Sequence, residues 1–135
     1  MQKKTILLVE DDLGVREALS RALSFQKYHV VHAATGAQAL RECLENHIDV
    51  VLLDLNLGLE TGWDTVEDLA ALRPLLPIIV MSGRPEQFAH ASASAASAFM
   101  EKPMDLPFLF QKLATLSALP HATSLNGVEE LVKTE

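Results

Sequence analysis

The sequence predicts an α/β fold, because five short apolar runs alternate with five segments of helical periodicity over its 135 residues. That alternation is typical of a parallel sheet covered by helices on both faces. Three of the runs are almost continuously apolar, as expected of strands that are buried on both sides. Right-handed crossovers leave few topologies, and we predict a doubly wound, flavodoxin-like (βα)5 sandwich with strand order 2-1-3-4-5.

The predicted strands follow the apolar runs in chain order, and the first helix follows the first strand. The apolar residues of this helix recur at helical spacing as far as Leu23, and Asp12 precedes them as a candidate N-cap. The predicted strands are Thr5–Val9, His29–Ala33, Asp49–Leu53, Pro77–Met81 and Ala98–Met100.

The second predicted helix opens at Thr35 and is expected to bury four residues on one side. These are Leu40, Cys43, Leu44 and, near its end, His47. Cys43 is the single cysteine of the chain, which excludes an internal disulfide and fits a reducing compartment.

The third predicted helix covers Gly62–Leu72, and Pro74 prevents its continuation. Trp63 is interpreted as helix packing or as a partly exposed surface contact. The fifth predicted helix begins near Asp105 and Pro107 and presents apolar residues on one face. These are Leu106, Leu109, Phe110 and Leu113.

The fourth predicted helix, between Pro85 and Ser97, has the weakest pattern because it consists largely of alanine and serine. Serine competes for backbone hydrogen bonds, and few of these side chains can anchor in a core. We therefore expect this to be the most mobile element. Beyond Leu119 the apolar pattern fades, so we predict one domain over residues 1–119 and a tail or linker over residues 120–135, without a second domain.

The composition favours a soluble cytoplasmic domain. Apolar residues make up 49% of the chain, and the net charge is −7 at pH 7. Nucleic acids and anionic membranes attract clustered Lys and Arg, so neither is expected as a direct partner. No apolar run approaches the ~20 residues that cross a bilayer. The apolar stretch near the first residue is too short for a signal-peptide core.

Polar side chains follow the predicted strands at their carboxyl ends, where ligands bind in this fold. They are Glu10, Asp11, Asp54, Ser82 and Lys102. Carboxylates held together repel one another unless a cation lies among them, and oxygen ligands alone favour Mg²⁺. A lysine and a hydroxyl suit a phosphoryl group. The predicted chemistry is attack of a carboxylate on phosphorus, which gives an acyl phosphate.

Four motifs at these strand ends resemble the receiver domains of bacterial response regulators. The resemblance extends from about Lys4 to Leu119, and the motifs occur in the family's order on the expected strands. They are Ile6–Asp12, Leu52–Leu57, Val80–Gly83 and Phe99–Pro103.

The resemblance implies a role for each matching residue. Asp54 would accept the phosphoryl group. Mg²⁺ would be held by Asp11, by Asp54, by Glu10 through water and by the backbone carbonyl of Asn56. The remaining matches are Ser82 and Lys102 as phosphoryl-binding switch groups, Phe99 as the aromatic that reorients with Ser82, and Pro103 as the proline after a cis bond.

The chain also departs from the family pattern. Gly58 stands where many relatives have proline, and Thr61 where many have aspartate, and neither is expected to touch the chemistry. Gly62 matches a glycine that the family usually keeps. The segment between Ser82 and Lys102 is about two residues shorter than usual, which puts the fourth helix and its signalling surface in doubt rather than the acceptor site.

The resemblance implies a signalling domain with autodephosphorylation rather than a turnover enzyme. A sensor histidine kinase or a histidine phosphotransfer protein would donate the phosphoryl group, docking near Gly14, Val15 and Leu19 and near the loop Lys102–Asp105. The surface of the fourth helix, fifth strand and fifth helix would then switch and control a protein partner or an attached output domain. Asn56 and Arg84, beside the path of an attacking water, would set the lifetime of the acyl phosphate.

Three alternatives stay open. An aspartate-nucleophile phosphatase also forms an acyl phosphate with Mg²⁺, but it carries two aspartates two residues apart on its first strand, whereas Asp54 follows the third strand and position 56 is Asn. A degenerate receiver would lack an acidic residue or the lysine, and this chain keeps both. The chain could also be a receiver cut from a longer regulator or hybrid kinase, with Pro120–Asn126 as a linker.

Overall fold

The computed structural model of the protein describes residues 3–58, 60–84 and 94–118. The strands within them are β1 (Thr5–Val9), β2 (His29–Ala33), β3 (Val50–Asp54), β4 (Asn56–Leu57), β5 (Glu60–Thr61), β6 (Ile78–Ser82) and β7 (Ala98–Glu101). The helices are α1 (Leu13–Phe25), α2 (Gly36–Glu45), α3 (Gly62–Leu72) and α4 (Leu106–Ser117). None of these helices is both long and apolar enough to span a membrane.

Five strands form one parallel sheet in the order β2-β1-β3-β6-β7. This confirms the predicted flavodoxin-like order, because β4 and β5 form a separate short ladder. β1 and β3 are neighbours in register, with Leu8 opposite Leu52 and Val9 opposite Leu53. Their following helices, α1 and α3, pack on opposite faces of the sheet. The carboxyl ends of β1 and β3 therefore border a crevice, the usual ligand position in such sheets.

The core has one apolar cluster on each face of the sheet, because successive strand residues point to opposite sides. Leu7 lies in the cluster under α2 and α3, together with Cys43 and Leu69. Leu8 lies in the cluster under α1 and α4, together with Leu109. This two-sided burial explains why the central strands are almost continuously apolar in sequence.

Each of the four described helices begins with a side-chain cap that accepts a backbone N–H group, which satisfies one of the donors left free at a helix start. The predicted starts at Asp12, Thr35 and Asp105 are confirmed, as are the bounds of α3. The capping residues are Asp12, Thr35, Thr61 and Asp105.

The predicted burial of Leu44 and His47 in the second helix is wrong. Leu44 is 61% exposed, because α2 turns Gly36, Ala39 and Cys43 toward the sheet instead. The helix ends at Glu45, and the His47 side chain is 66% exposed beyond that end.

Three smaller details differ from or refine the sequence predictions. Strands β3 and β6 end one residue later than predicted, so Asp54 and Ser82 belong to the strands. Trp63 is buried in the core and is not a surface contact. Leu106 is exposed, although Leu109 of the same predicted face is buried.

Directly after β3 the chain forms an antiparallel hairpin, β4–β5, which the sequence did not predict. Asn56 pairs with Thr61, and Leu57 pairs with Glu60. Gly58 adopts a positive φ of 66° at the turn, a conformation that glycine tolerates far better than other residues. The hairpin thus lies next to the carboxyl end of β3.

Two predictions fall mainly outside the described residues. One is the fourth helix at Pro85–Ser97, of which only residues 94–97 are described, in bends before β7. The other is the tail over residues 120–135 with the proposed domain boundary at residue 119.

Candidate functional site

Three carboxylates meet at the carboxyl ends of β1 and β3. Glu10 and Asp11 follow β1, Asp54 ends β3, and one oxygen of each lies within 4.8 Å of the others. Glu10 and Asp54 are buried, whereas Asp11 is exposed. The register of these adjacent strands brings the three together, as the sequence pattern predicted. Such an all-oxygen group is the kind of ligand set that a hard divalent cation takes.

Asp54 is only 2% exposed, and both of its oxygens accept hydrogen bonds. The backbone N–H of Asn56 donates to Oδ1 at 2.9 Å. The Lys102 ammonium donates to Oδ2 at 2.6 Å, which makes a charge-assisted ion pair. The acceptor carboxylate is therefore oriented by one backbone group and one cation.

Lys102 reaches Asp54 from the end of β7. Its backbone N–H donates to the carbonyl of Ser82 at 2.9 Å, which continues the β6–β7 ladder by one residue. The peptide bond from Lys102 to Pro103 is cis, the isomer that the family resemblance implies. The ammonium and the Ser82 side chain thus arrive at the crevice from neighbouring strands.

Both backbone groups of Glu10 form hydrogen bonds within the described part of the chain, but only one of its two side-chain oxygens does. Its N–H donates to the carbonyl of Ala33 at 3.0 Å, and its carbonyl accepts from the Arg16 guanidinium at 2.8 Å. Oε2 accepts from the N–H of Asp12 at 3.3 Å. Oε1 is buried and has no hydrogen-bond partner among the described residues. A buried carboxylate oxygen without a partner is costly, so this position calls for a proton or a cation.

The pKa of Glu10 reflects the same crowding. Burial, and next the neighbouring Asp54 carboxylate, raise the pKa of the Glu10 carboxyl from an ordinary 4.5 to about 7. A proton on Glu10 would let it donate to Asp54, which two ionised carboxylates cannot do. A divalent cation would relieve the repulsion without a proton. Its fit rests on the orphaned Oε1 and the all-oxygen donor set, which suit Mg²⁺ better than a soft metal.

Beside this acidic corner lies an open cavity of about 450 Å³. The N–H of Arg84 donates to Ser82 Oγ at 3.0 Å, which leaves the Ser82 hydroxyl hydrogen available to a ligand. Two cationic side chains, Arg84 and Lys102, line the same space, so it suits an anion. The lining residues are Asp54, Leu55, Asn56, Thr61, Ser82, Gly83, Arg84 and Lys102.

Four predicted site residues do not line this cavity. Glu10 and Asp11 form the acidic corner beside it. Phe99 is half-buried against the apolar cluster under α2 and α3, opposite Val80 in the β6–β7 ladder. Pro103 is exposed and is not among the lining residues. The structure therefore brings Ser82 and Lys102 to the crevice and leaves Phe99 on the flank of the sheet.

Gly58 and Thr61 lie closer to the site than the sequence suggested. Thr61 lines the cavity while its hydroxyl caps α3 by accepting the N–H of Trp63 at 3.3 Å. A Cβ atom added to Gly58 would lie 3.3 Å from Asp11 Oδ2. A Cβ atom on Gly62 would collide with the Leu55 backbone at 2.6 Å, which explains the glycine there.

Arg16 was not predicted from the sequence to support the site. Its guanidinium anchors the Glu10 carbonyl and thereby the turn that carries the acidic pair. An arginine on a solvent-facing helix position is common, so its type gave no signal. Its position could have indicated the contact, because Arg16 lies about one helical turn after the Asp12 cap and six residues after Glu10.

Comparisons with known proteins agree with this geometry. The family model described as response regulator receiver domain matches residues 6–114. The transcriptional regulatory protein PrrA of Mycobacterium tuberculosis is 30% identical over 93% of this chain and 55% of its own length. The response regulator MprA of a Mycobacterium species is 37% identical over 88% of this chain and 51% of its own length. The chain thus spans about half the length of these relatives.

Solved structures give the same result. A CheY-like response regulator receiver domain protein from Methanospirillum hungatei has a TM-score of 0.79 at 26% identity, covering 86% of this chain and 94% of that one. Response regulator TrrA from Thermotoga maritima, solved in complex with Mg²⁺–BeF, has a TM-score of 0.78 at 25% identity, covering 84% of this chain and 98% of that one. The chain belongs to the response-regulator receiver domain family.

Proposed function

We propose that this receiver domain accepts a phosphoryl group on Asp54 with the help of Mg²⁺. The observation that carries the proposal is the environment of one carboxylate. Asp54 pairs with Lys102 and faces Glu10 and Asp11 at the mouth of a cavity with two cationic side chains. Members of this family are signalling domains rather than metabolic enzymes.

The proposed step is a phosphoryl transfer between two protein side chains. An Asp54 oxygen attacks phosphorus, the P–N bond of a phosphohistidine breaks, and the imidazole leaves with the bonding electron pair. Lys102 neutralises charge on the transferred oxygens, and the Ser82 hydroxyl donates to one of them. Mg²⁺ would be held by Glu10, Asp11, Asp54 and the Asn56 carbonyl, and it would stabilise the negative charge of the phosphoryl group during transfer.

The proposed switch begins at these same two groups. An acyl phosphate adds close to two negative charges, so Ser82 and Lys102 gain a new partner beside Asp54. Phe99 lies two residues from the paired end of β7 and packs on the flank of the sheet. We expect it to reorient with Ser82 and to change the surface formed by the fourth predicted helix, β7 and α4.

The proposed donor is a sensor histidine kinase or a histidine phosphotransfer protein. Exposed apolar side chains flank the crevice, namely Leu13 and Val15 on α1 and Leu106 and Phe108 on α4. Exposed apolar groups beside a reactive centre are a usual docking surface for a protein. The donor would cover this rim and the loop Lys102–Asp105 while its imidazole enters the crevice.

The proposed output is control of a protein partner or of an attached output domain. PrrA carries the name of a transcriptional regulatory protein, and the chain matches about half of it. Residues 1–119 would then be the receiver, and residues 120–135 a tail or linker. The whole chain carries a net charge of −7, so we do not expect it to bind nucleic acid directly.

The decisive experiment is phosphorylation with acetyl phosphate and Mg²⁺, followed by intact mass. Wild type should gain one phosphoryl group, and Asp54→Asn should gain none, because the amide cannot form the acyl phosphate. Asp49→Asn is the matched control, since Asp49 is a second buried aspartate at the opposite end of β3. It should be labelled like wild type.

Labelling of Asp54→Asn, or a Mg²⁺-independent gain in wild type, would contradict the proposal. If wild type gains nothing from acetyl phosphate, a phosphorylated histidine protein becomes the donor in the same assay. A failure there as well would identify a degenerate receiver that binds partners without phosphorylation.

A further inference from the structure

The hairpin that follows β3 has a turn of two residues. Leu57 pairs with Glu60, so only positions 58 and 59 connect the two short strands. Two-residue hairpin turns need a positive φ at their first position. Gly58 has a φ of 66°, whereas proline is fixed near −65°. This chain therefore builds the loop after its acceptor strand with a turn that proline cannot make.

The turn brings Gly58 against the acidic corner. A Cβ atom at this position would lie 3.3 Å from Asp11 Oδ2, so the carboxylate would have to shift by a few tenths of an ångström. Asp11 is exposed and its side chain can move. At the other end of the hairpin, Leu57 is buried in the core and Thr61 caps α3. The hairpin is thus anchored on one side, and on the other it leaves no room for a further atom beside the Asp11 carboxylate in its present position.

We propose that Gly58 is a positioning residue for the cation: its left-handed turn brings hairpin β4–β5 close to Asp11 without a side chain between them, and so leaves the Asp11 carboxylate free to take the position from which it binds the cation. This inference rests on the proposed function, because it assumes that the corner binds Mg²⁺. A Cβ atom at position 58 then displaces a ligand oxygen but touches neither Asp54 nor the cavity.

The test compares two variants of Gly58 that differ in backbone tolerance. Alanine and asparagine both add a Cβ atom beside Asp11, but asparagine accepts a left-handed conformation more readily than alanine. Gly14→Ala is the control, because its Cβ would lie 3.4 Å from Asp12 Oδ1, away from Asp11, and Gly14 has no positive φ.

Urea unfolding at several MgCl₂ concentrations gives two readouts from one experiment. Trp63 is the single tryptophan and is buried, so its fluorescence reports unfolding. The stability without Mg²⁺ reports the turn itself. The gain in stability with Mg²⁺ gives the dissociation constant of the cation through linkage.

Both Gly58 variants should bind Mg²⁺ about 10-fold more weakly than wild type, the loss typical of a group that orients a metal ligand. Gly58→Asn should be more stable without Mg²⁺ than Gly58→Ala, and Gly14→Ala should keep the wild-type dissociation constant. A wild-type dissociation constant in either Gly58 variant would overturn the inference, even if stability falls.

The outcomes separate this inference from the proposed function. If Mg²⁺ does not stabilise the wild-type domain, the inference is overturned together with the proposed metal site. If Mg²⁺ stabilises wild type and not the Gly58 variants, but Asp54 takes no phosphoryl group from any donor, the proposed function fails and the inference holds.

Discussion

Strand β3 has a buried aspartate at each end, and the two are held in opposite ways. Asp49, just before the strand, is 5% exposed and accepts the N–H of Thr5 at 2.8 Å and pairs with His47 at 3.1 Å. Asp54, at the other end, pairs with Lys102 but also faces Glu10 and Asp11. Asp49, at the start of the strand, is thus paired with hydrogen-bonding groups, whereas Asp54, at its end, also faces two further acids.

The difference teaches how to tell a structural carboxylate from a functional one. Asp49 ties β3 to β1 through a backbone donor, which stabilises a fold by roughly 1 kcal/mol or somewhat more for a charged acceptor. Nothing about fold stability requires Glu10 to be buried against Asp54 with one oxygen unpartnered. An arrangement that costs stability and gathers like charges at an open cavity is typical of a binding site.

The sharpest way to break the comparison is to remove the side chain that pairs with each aspartate. Lys102→Ala should slow phosphorylation of Asp54 by about 100-fold at saturating Mg²⁺, because a group that stabilises transition-state charge is lost. His47→Ala should leave the rate unchanged and alter the free energy of unfolding by less than about 1 kcal/mol, because the His47 side chain is exposed and Asp49 keeps the N–H of Thr5 as a donor. Quenched-flow or mass measurements of labelling with acetyl phosphate give both rates. Equal rates in wild type and Lys102→Ala would remove the distinction.

The second prediction concerns how the stability of the domain depends on pH through Glu10, the carboxyl group that faces Asp54. Since the pKa of Glu10 in the folded domain is about 7 and its ordinary value is 4.5, the folded state holds this proton more tightly than the unfolded state. Its contribution to stability is therefore complete below pH 4.5 and is lost as the pH rises through 7. Without Mg²⁺, stability should fall over this window by an amount on the order of 1–3 kcal/mol.

Glu10→Gln should remove that fall, because the amide does not titrate, and saturating Mg²⁺ should reduce it in wild type. Chemical denaturation at pH 4, 5, 6, 7 and 8 with and without MgCl₂ measures the slopes, because these pH values bracket the window set by the raised pKa. Identical slopes for wild type and Glu10→Gln without Mg²⁺ would contradict the charge crowding that distinguishes the two ends of β3.

The smallest expected effect is on the lifetime of the acyl phosphate, which depends on the access of water to Asp54 through the cavity that it lines. Arg84 and Asn56 line that cavity beside the acceptor. Arg84→Ala should shorten the lifetime of the acyl phosphate about 3-fold to 10-fold, or roughly 1 kcal/mol of barrier, because an attacking water gains room. Decay of the phosphorylated species by intact mass measures it. Arg73→Ala, whose guanidinium contacts the Cys43 carbonyl instead, is the control, and equal decay in both would exclude the role.

Much of the fold was predictable because its signals are local. Apolar runs indicated the strands, and Asp12, Thr35 and Asp105 indicated helix starts through their capping chemistry. The acidic corner followed from the strand order, since residues that end adjacent parallel strands must meet. Leu44 was mispredicted because the helical spacing of large apolar residues did not determine which side of α2 faces the sheet. The small residues Gly36 and Ala39 face the sheet, and Leu44 does not.

The contacts that could not be predicted from the sequence depend on the three-dimensional course of the loops. The approach of Gly58 to Asp11 joins residues 47 positions apart through a turn whose φ no pattern specifies. The hydrogen bond from Arg16 to the Glu10 carbonyl depends on the exit angle of α1. The unpartnered Oε1 of Glu10 is a property of the assembled corner, because only there do all its potential donors have fixed positions.

The bond between the Lys102 N–H and the Ser82 carbonyl has a further consequence. β7 is an edge strand of the sheet, and one strand, β6, lies between it and β3, which carries Asp54. A displacement of Ser82 by a fraction of an ångström must either stretch this bond or carry the rim of the sheet with it. A charge gained at Asp54 is therefore separated from a sheet edge that another molecule can contact by two strand ladders, β3–β6 and β6–β7.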